Sequence, residues 1–129
     1  MKIYIAYENE PHDTWEKYVI EKGWRDVIVE NNSKFYLIEV VSIDRLQGEY
    51  DYATQNGQAY FQDLPTLISD NVSTERVIEL LQKIDPCYFD LLTPINCNSP
   101  SFINSHPQFA EIEKLTCIYD SDNKQRSER

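Results

Sequence analysis

The sequence predicts a single α+β domain, with a mostly antiparallel sheet of five or six strands and two main helices packed against it. Three observations support this prediction. The chain has 129 residues, a length typical of one domain. Hydrophobic residues make up 41% of it, while glycine and proline are few, so a buried core is expected. Runs of strand-like alternation are interrupted by a few helix-like segments, which is typical of an α+β layered fold.

The first elements are predicted to be a strand and a helix. Residues 2–7 alternate along the chain and form the strand. Asp13 and Glu16 have the spacing of a capping box at a helix start. Apolar residues then recur at helical spacing until Gly23, a typical C-terminal stop. The predicted helix spans residues 14–22.

The next two elements are predicted to form a β-hairpin. Residues 24–30 contain a run of β-branched side chains. Residues 35–43 are almost continuously apolar, as in a central strand covered on both faces. The turn at 31–33 is too short for a crossover, so the two strands must pair antiparallel.

A second hairpin is predicted over residues 50–63. Asn56 and Gly57 lie between two alternating segments, and Asn-Gly is the strongest short-range signal for a type I′ turn. In this register one face holds Tyr52, Thr54, Ala59 and Phe61, which are expected to be buried. The other face holds Asp51, Ala53, Tyr60 and Gln62, which are expected to face solvent or a partner.

The C-terminal half begins with a second long helix. Ser73 is its predicted N-cap, an apolar stripe follows at positions i, i+3, i+4 and i+7, and Asp85-Pro86 ends it. A strand is predicted from Cys87 to Leu92.

The last predicted elements are a short helix and a closing strand. Ser105 and Gln108 offer a second capping box for the helix, with Phe109 and Ile112 facing inward. The strand runs from Leu115 to Tyr119. The predicted domain therefore covers residues 1–119, and residues 120–129 form a polar tail expected to fray.

The charge of the chain limits its partners. It carries 22 acidic and 12 basic side chains, a formal charge of −10 and a pI near 4.5. Nucleic acids and anionic membrane surfaces are recognised by clusters of Lys and Arg, so we expect neither as a partner. The charge favours a basic protein instead.

The chain is expected to be soluble and cytoplasmic. Its N-terminus lacks the apolar stretch of a signal peptide, and no apolar run reaches the length of a membrane span. Cys87, Cys97 and Cys117 lack the close pairing of zinc ligands. They are predicted to be buried or half-buried free thiols, with a Cys87–Cys97 disulfide as the alternative. No metal and no cofactor is expected.

The sequence predicts no catalytic residues. His12 and His106 are the only histidines available as a base for a nucleophile, and each lies near a predicted helix start. Glycine is too scarce for a phosphate-binding loop. Carboxylate pairs such as Asp44 with Glu49, or Asp51 with Asp63, could serve as acid and base. With 22 acidic residues, however, such pairs arise by chance.

A partner-binding site is predicted on the second hairpin. No Lys or Arg occurs between Arg45 and Arg76, and this acidic stretch is interleaved with aromatic residues, which are enriched at protein interfaces. An acidic aromatic hairpin would complement a basic cleft. The predicted partner-binding residues are Glu49, Asp51, Tyr60, Gln62 and Asp63.

The stretches Lys34–Asp44 and Asp85–Ile95, together with the small size and acidity of the chain, resemble the small acidic immunity proteins of bacterial polymorphic toxin systems, including contact-dependent growth inhibition. The resemblance implies a non-enzymatic protein that neutralises a cognate basic toxin domain, with a nuclease expected, by occluding its active site. Two alternatives remain open: an acidic adaptor or regulatory module that binds a basic cellular protein, and a small carboxylate-dependent hydrolase.

Overall fold

Five strands form one sheet in the computed structural model, which describes residues 1–8, 10–57, 66–96, 98–110 and 114–123. The strands are β1 (Lys2–Ile5), β2 (Trp24–Asn31), β3 (Lys34–Ser42), β4 (Thr66–Ser69) and β5 (Thr116–Asp120). Their order across the sheet is β4-β3-β2-β1-β5. Three neighbouring pairs are antiparallel, and β3 with β4 is parallel. The predicted α+β class is confirmed, with a mixed sheet.

Three helices of ten residues or more accompany the sheet among the described residues, where two were predicted. They are α1 (His12–Lys22), α2 (Ile43–Gln55) and α3 (Thr74–Lys83), and a shorter α4 spans Pro100–Ser105. Short 3-10 segments cover Pro86–Leu91, Pro107–Phe109 and Ser121–Asn123. None of the helices in the described parts of the chain has the length and apolar character needed to cross a bilayer.

The predicted helix ends are confirmed in two places. Gly23 ends α1 at φ +87°, a left-handed conformation that glycine adopts without a side-chain penalty. The Ser73 side chain caps α3 by accepting a hydrogen bond from the Arg76 backbone N–H at 3.1 Å. Asp13 does not cap α1: the helix begins at His12, two residues before the predicted start, so Asp13 lies in its first turn beside the positive end of the helix dipole.

The hairpin of β2 and β3 has the predicted antiparallel register, with Val27 opposite Ile38 and Asn31 opposite Lys34. Asn32 and Ser33 connect the strands at φ +53° and +64°. Two consecutive positive φ values match the twist of a two-residue hairpin turn.

The main hydrophobic core joins one face of the sheet to helices α1 and α3. The strands contribute alternate residues, because successive side chains of a strand point to opposite faces. The helices contribute Val19 from α1 and Val77 and Leu81 from α3, which confirms the predicted stripe. The buried members from the sheet are Ile3, Ile5, Val27, Val29, Tyr36, Ile38 and Val40.

A buried ion pair links three elements at the edge of this core. The Arg25 side chain is only 5% exposed, and its Nη1 donates to Glu16 Oε1 at 3.0 Å and to the Val72 carbonyl at 3.1 Å. Glu16 Oε1 also accepts from the Thr74 backbone N–H at 2.9 Å, at the start of α3. One guanidinium and one carboxylate therefore hold α1, β2 and the N-terminus of α3 together.

The predicted second hairpin is wrong in the part that the structure describes. Residues 50–55 are the last two turns of α2, and Asn56 and Gly57 end the helix, with Gly57 at φ +87°. Gly57 thus takes the positive φ of a helix C-terminus instead of a hairpin turn. The predicted burial is wrong for Tyr52, which is exposed, and for Ala53, which is buried, whereas Asp51 is exposed as predicted. Residues 58–63 lie outside the described residues.

Two further predictions fail in the C-terminal half. The segment predicted as a strand from Cys87 to Leu92 is a 3-10 helix, because Asp85 caps it by accepting from the Cys87 N–H at 2.9 Å and Pro86 has the φ of a first helical residue. Ser105 ends α4 instead of starting a helix. Phe109 is buried as predicted, whereas Ile112 lies outside the described residues.

The closing strand is confirmed as β5, which pairs with β1. Of the segment predicted as a tail, Asp120 belongs to β5 and Ser121–Asn123 form a 3-10 turn. Ser121 Oγ accepts a hydrogen bond from the Met1 amino group at 2.8 Å. Residues 124–129 lie outside the described residues.

For the two cysteines that the structure describes, the predicted free thiols are confirmed and the predicted burial is wrong. Cys87 and Cys117 are free thiols, but both are exposed. The Cys117 thiol donates to the Tyr119 carbonyl at 3.2 Å. Cys97, and with it the alternative Cys87–Cys97 disulfide, lies outside the described residues.

Candidate protein-binding surface

Helix α2 is the crossover helix between two parallel strands. It starts directly after β3, where Ser42 Oγ accepts a hydrogen bond from the Arg45 N–H at 3.2 Å, and the chain later returns as β4 beside β3. A crossover helix normally buries an apolar stripe against its sheet. In α2 the one buried residue described is Ala53, so most of the helix surface faces solvent.

Three large hydrophobic side chains of α2 are exposed. Tyr52 is 71% exposed, Ile43 60% and Tyr50 46%. Single exposed apolar residues are common on protein surfaces. Three of them on one 13-residue helix are more than such scattered exposure would give, and tyrosine is a residue type enriched at protein interfaces. The helix therefore has the composition of an interface.

The charged groups of α2 are mainly acidic. It carries the carboxylates of Asp44, Glu49 and Asp51 against one guanidinium, Arg45. Arg45 Nε contacts Glu49 Oε1 at 3.0 Å, and the Gln47 side-chain amide donates to Asp51 Oδ1 at 2.9 Å. Both contacts are i, i+4 pairs, which support a helix by a few tenths of a kcal/mol.

An open groove of about 560 Å³ runs along one side of α2. Gly48 is one of its lining residues, and apart from its own neighbouring helix backbone no described atom comes within 4 Å of where a Cβ would stand on this residue. The volume is in the range of pockets that hold small ligands, so the groove can take a few side chains of a partner. The lining residues are Asp44, Arg45, Gly48, Glu49, Tyr52, Ala53 and Asn56.

Replacement by alanine is expected to have opposite effects on stability at the two glycines of this region. Gly48→Ala should raise the free energy of unfolding by about 0.5–1 kcal/mol, because alanine is the better residue in a helix interior and the space at its Cβ is open. Gly57→Ala also meets open space, but its φ of +87° penalises an L side chain, so we expect a loss of about 1 kcal/mol.

Urea denaturation of both variants checks this pair of predictions. If Gly57→Ala were as stable as the wild-type protein, or Gly48→Ala less stable, the assigned course and end of α2 would be wrong.

The structure brings together only part of the predicted site. Glu49 and Asp44 line the groove. Asp51 is not among the lining residues, but it lies two turns after Asp44 on the same side of α2. Tyr60, Gln62 and Asp63 lie outside the described residues, so their role stays a prediction. Tyr52 was predicted to be buried, but it is exposed. The two i, i+4 contacts described above favour a helix, and they are the signal that could have identified it.

The other candidate groups lie elsewhere. His12 Nε2 contacts Glu10 Oε1 at 2.8 Å, and its ring stacks on Tyr7 at 4.0 Å. The His106 ring stacks on Phe102 at 5.1 Å. In the described ranges no three His, Cys, Asp or Glu side chains come together in an arrangement that could hold a metal ion.

A second enclosed space lies between α1 and β2, beside Lys22 and Asp26. Lys22 Nζ lies 3.6 Å from the centre of the Trp24 ring, and burial lowers the pKa of this amine below its ordinary value. The space measures about 50 Å³, enough for one or two water molecules. The groove on α2 is therefore the larger opening for a ligand.

The chain was also compared with known proteins. No family model, curated protein or solved structure matches it. Its own surface chemistry is the basis for the function proposed below.

Proposed function

We propose that this chain is a protein inhibitor of the immunity type, which binds a basic toxin domain through α2 and covers its active site. A nuclease domain is the expected target. The observation that carries the proposal is the side of α2 that holds Asp44, Glu49 and the largely exposed Tyr52. The general resemblance to acidic immunity proteins noted in the sequence supports it.

Charge favours this kind of partner. With a net charge of −10, the chain would be drawn toward a basic surface, and complementary charge raises association rates well above those of neutral partners. A nuclease presents a basic cleft because it must bind phosphates. Exposed carboxylates on α2 would occupy the positions that those phosphates need.

The geometry of α2 suits a blocking role. A helix is a rigid element, so little conformational entropy is lost when it docks. The Tyr52 side chain, which is 71% exposed on the groove side, supplies a large contact area with only two rotatable bonds. An inhibitor of this kind needs no catalytic group of its own.

The test has two stages. The purified chain is used as bait in an extract of its native source, and the captured protein is then produced alone and together with the chain. We expect a basic protein whose expression stops cell growth, and we expect co-expression of the chain to restore growth. A captured basic protein whose activity is unchanged by the chain would contradict inhibition and favour the adaptor alternative.

A further inference from the structure

We propose that the groove over Gly48 receives an arginine side chain of the basic partner. This inference rests on the proposed function and deepens it, since it names the chemistry of the contact. The guanidinium would lie against the Tyr52 ring, and the Glu49 and Asp44 carboxylates would neutralise its positive charge. All of these residues line the groove.

Gly48 is the first reason to place a contact here. A glycine inside a helix lowers helix stability relative to alanine, and no described part of the chain fills the space at its Cβ position. Packing within the described residues therefore gives no reason for the missing side chain. A glycine at such a position lets another chain approach the helix backbone closely.

The charges and the aromatic ring specify arginine. Arginine combines a planar cation that stacks on aromatic faces with several N–H donors that match a carboxylate. The groove offers both complements, since it holds two carboxylates and one largely exposed tyrosine. Asn56 adds a side-chain carbonyl, although its amide nitrogen already donates to the Tyr52 carbonyl at 2.8 Å.

The chain already contains one example of the contact. Arg45 Nε donates to Glu49 Oε1 at 3.0 Å, so this carboxylate is placed where a guanidinium can reach it. The pair is exposed on both sides, with 43% and 32% of the side chains accessible. An exposed pair of this kind is weak, so Arg45 should act as a competitor that a partner arginine displaces.

The experiment uses a labelled nine-residue arginine peptide and a nine-residue lysine peptide as probes, with affinity measured by fluorescence anisotropy at fixed ionic strength. Wild-type protein should bind the arginine peptide more tightly. Glu49→Gln should weaken its binding about threefold or more, and Tyr52→Leu should remove the preference for arginine over lysine. Arg45→Gln should tighten binding about two- to fivefold, because it frees Glu49.

Two control variants separate the groove from the overall charge. Asp90→Asn removes an acid from the 3-10 segment that contacts the far end of β3 through Phe89 and Tyr36, and it should weaken binding less than Glu49→Gln. Lys83→Gln removes an exposed cation from the last turn of α3, and it should tighten binding less than Arg45→Gln.

Three results would overturn the inference: equal binding of the two peptides, equal effects of groove and control variants, or weaker binding of the arginine peptide to Arg45→Gln. If the peptides show one of these results while the chain still neutralises its captured partner, the groove is wrong and the proposed function stands. If no partner is captured or neutralised, the proposed function itself fails.

Discussion

Arg25→Ala is expected to lower the free energy of unfolding by about 3–5 kcal/mol, the range for breaking a buried ion pair by removing one partner. Arg25 is 5% exposed and holds both Glu16 and the Val72 carbonyl. Its loss would leave the Glu16 carboxylate, which is 20% exposed, without its counter-charge. Glu16 Oε2 already has no hydrogen-bond partner within the described part of the chain, so the carboxylate would keep only the Thr74 N–H on Oε1.

Arg76→Ala is the matched control. Arg76 contacts Asp70 Oδ1 at 2.9 Å and Glu79 Oε2 at 2.8 Å, so it makes two ionic contacts where Arg25 makes one, but at a site that is 41% exposed. Exposed pairs contribute about 0–1 kcal/mol each. Urea denaturation compares the two variants. Equal losses would show that the Arg25 pair is not the buried link between α1, β2 and α3.

Local patterns were enough to predict the centre of the fold. The hairpin of β2 and β3 follows from two apolar runs joined by a two-residue turn. Helix α3 follows from the Ser73 cap and from an apolar stripe that keeps helical periodicity along its whole length. In these segments propensity, capping and burial all favour the same structure, as expected of a consistent sequence.

The error at α2 has a specific physical cause. Asn-Gly supplies positive φ, which both a type I′ turn and a helix C-terminus require, so the dipeptide alone does not distinguish them. The alternation of apolar and polar residues around Tyr50 and Tyr52 resembles that of a strand. Both tyrosines are exposed, however, so this alternation does not correspond to alternating burial. Ser42 at the N-cap and the i, i+4 pairs on Arg45 and Gln47 were the signals that favoured a helix.

The parallel pairing of β3 with β4 had no local signal. Thr66–Ser69 is a four-residue strand, and its partner is reached only after the crossover through α2. Pairing between such distant segments depends on how the whole sheet assembles, and no local sequence pattern encodes it. The candidate site depended on this topology, so the sequence named Glu49, which lines the groove, but not the helix surface around it.

The acidic surface of α2 is expected to dominate binding of the basic partner. The double charge reversal Asp44→Lys with Asp51→Lys places two cations on this helix, and like charges facing each other across an interface cost several kcal/mol. We expect the affinity for the captured partner to fall about 100-fold or more, equivalent to about 3 kcal/mol. The fold should persist, because both side chains are exposed.

The matched control is Asp13→Lys with Asp90→Lys, which changes the net charge by the same amount. Asp13 lies in the first turn of α1 as Asp44 lies in the first turn of α2, so the two variants carry the same helix-dipole penalty. Gly23 lies against Ser42 and Arg45 at the start of α2, and Asp13 lies ten residues before Gly23, about 15 Å along α1. Phe89, next to Asp90, packs on Tyr36, six strand residues or about 20 Å before Ser42. Both distances exceed the screening length of about 8 Å at physiological salt.

The most direct measurement is the dissociation constant of the purified partner with the wild-type protein and with these two variants, at one ionic strength and with the fold verified by circular dichroism. We predict a large loss of affinity for the α2 variant and a change of less than about threefold for the control, as expected for charges beyond the screening length. Equal losses in the two variants would show that only net charge matters, and would contradict the assignment of α2 as the binding surface.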